Sequence, residues 1–179
     1  MRRLTVRRVV TGHDSEGRSR VVDDRDVEAI TSALMPGFAA YRLWGGDEPP
    51  AFPNDGSPSG VATWFPPPEG SRFIVITHPP EGQTPPVGVD AAAATAELER
   101  QMPGMLTSME PDGSGMHTSD TMDYLMVVHG EATLELDDGE RAVVRVGDVV
   151  VQNGTRHVWR NYGTEPCTLV AVSVGGSRP

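Results

Sequence analysis

Cysteine is nearly absent: Cys167 is the only one in 179 residues. This excludes an internal disulfide framework and any cysteine-rich zinc site. Basic charge is in deficit, with 15 Lys+Arg against 25 Asp+Glu and a net charge of −10. A nucleic-acid protein, which needs a Lys/Arg-rich surface to meet phosphates, is excluded on that ground. Aromatic residues make up only 6% of the chain. No apolar run approaches the ~18–20 residues of a membrane-spanning helix. The basic N-terminus Met1-Arg2-Arg3-Leu4 leads into an apolar stretch that ends by Val10, with no small-residue cleavage site after it. That pattern reads against a signal peptide, and a soluble cytoplasmic protein with no membrane partner is expected.

Glycine and proline are abundant, 20 and 16 residues, and their placement divides the chain. Only Pro166 and Pro179 lie beyond residue 111. From Tyr124 to Val174 short apolar or alternating runs are separated by turn signals at strand spacing. Tyr124–Val128, Ala132–Leu136, Ala142–Val146, Val149–Gln152 and Thr168–Val174 are predicted strands, with Asp138-Gly139 a type I′ hairpin turn. So many strands with no helical period between them predict an antiparallel sandwich or barrel. In the N-terminal part, Leu4–Val10 and Arg20–Val22 are predicted to form a hairpin around His13–Gly17. Phe38–Trp44 and Arg72–Thr77 are further strands, and the Pro/Gly/Asp/Ser-rich stretch Gly45–Gly60 is an irregular loop. Asp90–Met102 is the one good helix, N-capped by Asp90 and stopped by Pro103-Gly104. A short helix is also expected near Asp26–Ala33.

Two stretches carry candidate chemistry. Gly115-Met116-His117-Thr118-Ser119-Asp120-Thr121-Met122-Asp123-Tyr124 runs on to Gly130, and Gly147–Gln152 runs on through Asn153-Gly154-Thr155-Arg156-His157 to Asn161. Together they resemble the paired motifs of the cupin superfamily, and the chain is similar to its single-domain bacterial members. His117, Asp123 and Gly130 match the first motif. Gly147, Gly154, His157 and Asn161 match the second, with Gln152 at the usual proline and the spacing shortened by one. The resemblance spans roughly Met109–Gly175. It implies an all-β fold, the double-stranded β-helix or jelly-roll barrel, with an N-terminal strand extension and one or two short helices. Residues 1–108 are expected to flank a barrel core of residues 109–179.

Ser119 stands where the family's second histidine would be, so the implied ligand set shrinks to His117, Asp123 and His157. Two histidines and a carboxylate suit Fe, Mn, Ni or Zn and leave open positions, with Asp120 or a water as a fourth ligand. Strand alternation puts His117, Ser119, Thr121, Asp123, Leu125 and Val127 on one face. The alternative is a metal-free polar pocket in which histidine and aspartate bond each other. Asp120, Thr121 and Tyr124 are candidate proton-transfer groups, while His78 and His129 are expected at the surface or in turns. The methionines from Met102 to Met126 are expected to fill gaps around an adaptable pocket.

Fold does not fix chemistry. The function expected first is a small-molecule metalloenzyme acting on a carboxylate or enolisable carbonyl, by decarboxylation, isomerisation, cyclisation or dehydration, or dioxygenation. The alternative is a non-catalytic binding or sensing pocket. A homodimer is expected, joined at sheet edges with Met1–Val10 as the exchanged or augmenting strand.

Overall fold

The computed structural model describes residues 4–178, and its strands are paired throughout in antiparallel fashion. A hairpin of β1 (Val6–His13) and β2 (Ser19–Val27) comes first, then β3 (Ile30–Ser32), β4 (Met35–Gly46) and β5 (Ser71–His78). Helix α1 (Ala91–Gln101) separates these from β6 (Thr121–His129), β7 (Glu131–Glu135), β8 (Arg141–Arg145), β9 (Val149–Asn153), β10 (Val158–Arg160) and β11 (Cys167–Gly175).

Local chemistry accounts for most of these boundaries. The Asp90 carboxylate accepts from the Ala93 amide at 3.0 Å and caps α1, satisfying an amide that has no partner within the helix. Between β7 and β8, Asp138 (φ 55°) and Gly139 (φ 77°) both lie in the left-handed region, and the Glu140 amide donates to Asp137 O. This is the expected type I′ turn. The expected helix near Asp26–Ala33 is not formed; that stretch is the end of β2 and β3. Its residues are held by long-range partners, with Asp26 opposite Arg7, and with Arg7 and Arg8 paired to Asp24 and Asp23. Tertiary pairing here overrides a weak helical pattern.

Six strands form one sheet in the order β3-β4-β5-β11-β6-β9, and β10-β7-β8 form a second. Between them lies a single core that includes Ile74, Leu125, Val127 and Leu169 from the large sheet and Ala132 and Val144 from the small one. Phe38, Trp64, Leu98 and Met102 close it at the α1 side. This is the all-β jelly-roll barrel. The large sheet draws on both sides of residue 108, since β5 pairs with β11 from His78↔Cys167 to Ser71↔Val174. The N-terminal arm is used within its own chain. From Val6 onward it pairs with β2, and the hairpin covers the outer face of β4 and β5, where Val6 and Val27 pack on Tyr41, Leu43 and Val75. Residues Met1–Arg3 of that arm lie outside the described residues.

Two devices tie the loops to the barrel. Arg72 is 1% exposed and donates to Gly46 O, Ser71 O, Thr63 O and Asp47 Oδ1, so it pins both ends of the loop between β4 and β5. Gly130 (φ 70°) turns the chain from β6 into β7 so close to Pro166 that a Cβ would lie 2.3 Å from its carbonyl oxygen. Only glycine fits that approach. Among the described residues no helix is long and apolar enough to cross a membrane.

Candidate functional site

Strand β6 alternates as expected: Thr121, Asp123, Leu125 and Val127 are buried, and the residues between them are exposed. His117 and Ser119 precede the strand and continue the same parity. His117 is positioned by an isolated bridge to His157, in which each amide donates to the other's carbonyl at 2.9 Å. Residues exchanging both backbone bonds sit directly opposite each other. The two imidazoles are therefore neighbours, with ring centroids 4.3 Å apart and planes tilted by 49°.

Each ring is oriented by the carbonyl two residues earlier in the chain. His117 Nδ1 lies 3.2 Å from Gly115 O, and His157 Nδ1 lies 2.8 Å from Thr155 O. A carbonyl can only accept, so Nδ1 carries the proton in both rings and the lone pair sits on Nε2. Gln152 packs beside the second ring and shares Thr155 O with it. Its amide nitrogen donates to Thr155 O at 3.1 Å and lies 3.2 Å from His157 Nδ1. The residue at the motif's proline position thus braces the second histidine.

Burial governs the charges. Desolvation, with the nearby His117 adding to it, pushes His157 down to about 4. His117 is also lowered by burial, against the opposing pull of Gly115 O and Asp123. Both rings are neutral near pH 7, the state a ligand needs. Asp123 is raised by burial, with the Ser173 and Thr121 hydroxyls and His117 acting in the other direction. Its Oδ1 is buried without a hydrogen-bond partner.

His78 joins this face, contrary to the surface or turn position expected for it. It has the parity of Ile74 and Ile76 in β5, stands edge-on to Phe38 at 6.2 Å, and is pushed down to about 4 by burial and then by His117. The repeat of an apolar residue at every second position was the signal that could have placed it. Phe65, from the loop before β5, lies 6.2 Å from the His117 ring; no local pattern marks it. His129 is exposed, as expected.

The remaining candidates separate. Thr121 is buried, with its hydroxyl 2.7 Å from that of Ser119. Asp120 is exposed and ion-paired to Arg178. Tyr124 is not brought to the histidines. It is 50% exposed on the opposite face, where its hydroxyl donates to Met122 Sδ at 3.0 Å. Its parity, opposite to that of Asp123, is the physical reason. Met122 and Met126 share that outer face, whereas Met102 and Met116 are buried. Asn161 is structural: its amide donates to His78 O and Glu165 O.

The mouth near Ser119 is strapped by residues 65–68. A Cβ on Gly175 would lie 1.7 Å from Pro67 O, so β11 and the strap are in direct contact. Beside the strap a groove of about 520 Å³ is lined by Phe65, Pro67, Ser119, Asp120 and Arg178, among others. Phe65 both lines it and packs toward His117.

Among the described residues no three His, Cys, Asp or Glu side chains converge as a closed metal cage. The donors fit a divalent ion in kind: two anchored imidazoles with free Nε2 lone pairs, and a buried carboxylate oxygen lacking a partner. In position, the two histidines are together, and Asp123 is near enough to His117 for each to shift the other's charge.

Residues 105–173 match the Cupin_2 family, described as a cupin domain. The chain is 28% identical over 158 residues to phomopsin biosynthesis cluster protein C′ of Diaporthe leptostromiformis, covering 88% of this chain and 71% of that one. It is 46% identical over 62 residues to the cupin-domain-containing oxidoreductase virC of Hypocrea virens, covering 33% and 32%. A predicted oxalate decarboxylase from Thermotoga maritima has a TM-score of 0.42 and 14% identity, over 83% of this chain and 91% of that one. Both curated relatives are fungal, so they lend the bacterial expectation no support.

Proposed function

We propose that the chain is a small-molecule metalloenzyme of the cupin type, with its site inside the barrel at His117, His157 and Asp123. The observation that carries this reading is the histidine pair, with each Nδ1 tied to a carbonyl and each Nε2 left free. Packing alone does not demand two such rings in contact. The names of the fungal relatives, an oxidoreductase and a biosynthesis cluster protein, agree with catalysis on a small molecule.

His117 and His157 would hold a divalent ion through Nε2, with Asp123 Oδ1 as the third donor. Such an ion would supply Lewis-acid polarisation of a carbonyl or carboxylate, or O₂ activation if it is Fe(II). The chain's own residues do the rest. Gly115 O and Thr155 O hold the imidazoles in one tautomer. Phe65 and the strap keep bulk water from the pair. The Ser119–Thr121 hydroxyl pair offers a proton at Ser119 Oγ to a substrate entering by the groove. Asp120 and Tyr124 take no part in these steps.

A second reading has its own observation. Among the described residues no three ligating side chains form a metal-holding group, as would be so in a metal-free pocket that binds a small molecule without turning it over. Elemental analysis of untagged protein decides between them, after reconstitution with Fe(II), Mn(II), Ni(II) or Zn(II). About one equivalent of one metal is expected, lost in His157→Ala. No bound metal under any of the four conditions would sink the metalloenzyme reading and leave the binding pocket.

A further inference from the structure

The three inward histidines are not equivalent. His117 and His157 each have Nδ1 tied to a carbonyl. The ring of His78 has no hydrogen-bond partner among the described residues, and Asn161 takes only its carbonyl oxygen. Yet His78 is well placed. It stands opposite Cys167, next in line to Ile76 and Leu169, and edge-on to the buried Phe38. It is half-buried, so it keeps accessible surface, while desolvation first and His117 second hold it at about 4. Surface that is accessible but poorly hydrated faces an enclosed space and not bulk water. Ile76, Phe65 and Trp159 behave alike, each packing against the core without being buried in it. His117 reaches the same space, since it acts on the charge of His78, of His157 and of Asp123.

Given the site proposed above, we infer that His78 binds the far end of the substrate, through an uncharged hydroxyl or carbonyl oxygen on a largely apolar molecule whose near end lies at His117 and His157. The near end depends on that reading of the site; the contact with His78 does not. A neutral imidazole has a donor on one nitrogen and an acceptor on the other, so it can take a hydroxyl or a carbonyl. A polar group kept from water and left unpaired costs about 1–3 kcal/mol, which a ligand oxygen would offset. The end group is uncharged because nothing beside His78 balances a charge. Burial keeps the ring neutral at pH 7, so it gives a carboxylate no counter-charge, and an unbalanced buried carboxylate is costly. The arginines of the inner face are engaged elsewhere. Arg72 donates to Gly46 O, Ser71 O, Thr63 O and Asp47, and Arg42 lies over the Trp64 ring. Ile76 and Trp159, half-buried on the walls, suit an apolar body between the two polar ends.

Titration calorimetry on the full chain tests this with three probes: acetophenone, its para-hydroxymethyl derivative and its para-carboxylate. Wild type is expected to bind the hydroxymethyl compound about 10-fold more tightly than acetophenone, the effect of one hydrogen bond to a desolvated group. The carboxylate is expected to bind most weakly. His78→Phe is expected to erase the preference for the hydroxymethyl compound and to leave acetophenone within about twofold. In wild type, nitrogen NMR of the imidazoles should show the His78 ring shifting with the hydroxymethyl compound and not with acetophenone. That readout stands should His78→Phe not fold. Metal analysis separates this result from the metalloenzyme reading. His78→Phe is expected to hold as much metal as wild type; loss of metal would make His78 a ligand and overturn the inference. A wild type without metal sinks the metalloenzyme reading alone, because the probes report the His78 contact with or without an ion. No hydroxymethyl preference in wild type, a preference that survives in His78→Phe, an unshifted His78 ring, or tightest binding of the carboxylate would each overturn the inference.

Discussion

Strand β6 carries Thr121 and Asp123 toward the barrel interior, and Met122, Tyr124, Met126 and Val128 toward the outside. A one-sided sheet in water ordinarily does the opposite, with apolar residues inward and polar ones outward. Deeper along the same strand, Leu125 and Val127 restore the usual order on the inner face. The inversion is thus confined to two places: the polar residues at the mouth end of the interior and the apolar rows outside. Each disobeys burial preference, and the inner one coincides with a proposed role. The inner residues have a buried carboxylate oxygen without a partner and neutral imidazoles, while the outer ones have apolar area exposed to water.

Substitutions along β6 and its neighbours can break this contrast, beginning with the largest effect. Leu125→Ala, in the core, is expected to cost about 3 kcal/mol. Met126→Ala, one residue on and pointing out, is expected to cost the isolated monomer under about 1 kcal/mol. Urea titration of both measures the difference, and equal costs would mean the outer face is no less buried than the core.

Per histidine, the pH dependence is expected to be smaller. His78 and His157 are held near 4 when folded, below the ordinary histidine value. The unfolded chain therefore binds protons on them first as pH falls. Their contribution is complete above about pH 6.5 and is lost toward pH 4, by roughly 2 kcal/mol for each histidine between pH 7 and 5. The raised Asp123 works in the other direction over the lower part of that range. Melting temperatures between pH 7.5 and 5 should fall, and His78→Gln should flatten the slope; a slope unchanged by that variant would count against an inward His78. Smallest is Asp123→Asn, expected to stabilise the apo protein by about 1 kcal/mol, because a buried carboxylate in an apolar barrel is costly. A destabilised variant would show that the hydrogen bonds from Ser173 and Thr121 outweigh the cost of burying the Asp123 carboxylate.

Much of the barrel was legible because its signals are local. The Asp90 cap, the Asp138-Gly139 turn, the alternation of β6 and the placement of His117 and His157 in the two motifs each depend on a few adjacent residues. The misses share a different origin. Asp26–Ala33 was drawn into strands by partners in β1 and β4. His78 shares the parity of Ile74 and Ile76, which was local, but which side of β5 became the interior was set by its pairing with β4 and β11. Tyr124 is a different case, since strand parity already separated it from Asp123. The outer apolar rows were also in plain view, but their exposure depends on where the β1–β2 hairpin stops.

Strand alternation and turn chemistry, both local, determined from the amino-acid order alone which residues share a face and that the chain forms an antiparallel sandwich or barrel. Which face became the interior, which histidines met, and how much of the outer surface the hairpin covered were decided by pairings between residues 71–78 and 167–175 and between His117 and His157. Those pairings join segments far apart in the chain, and a period of two is the same on either side of a strand. Only the closing of the barrel tells inside from outside.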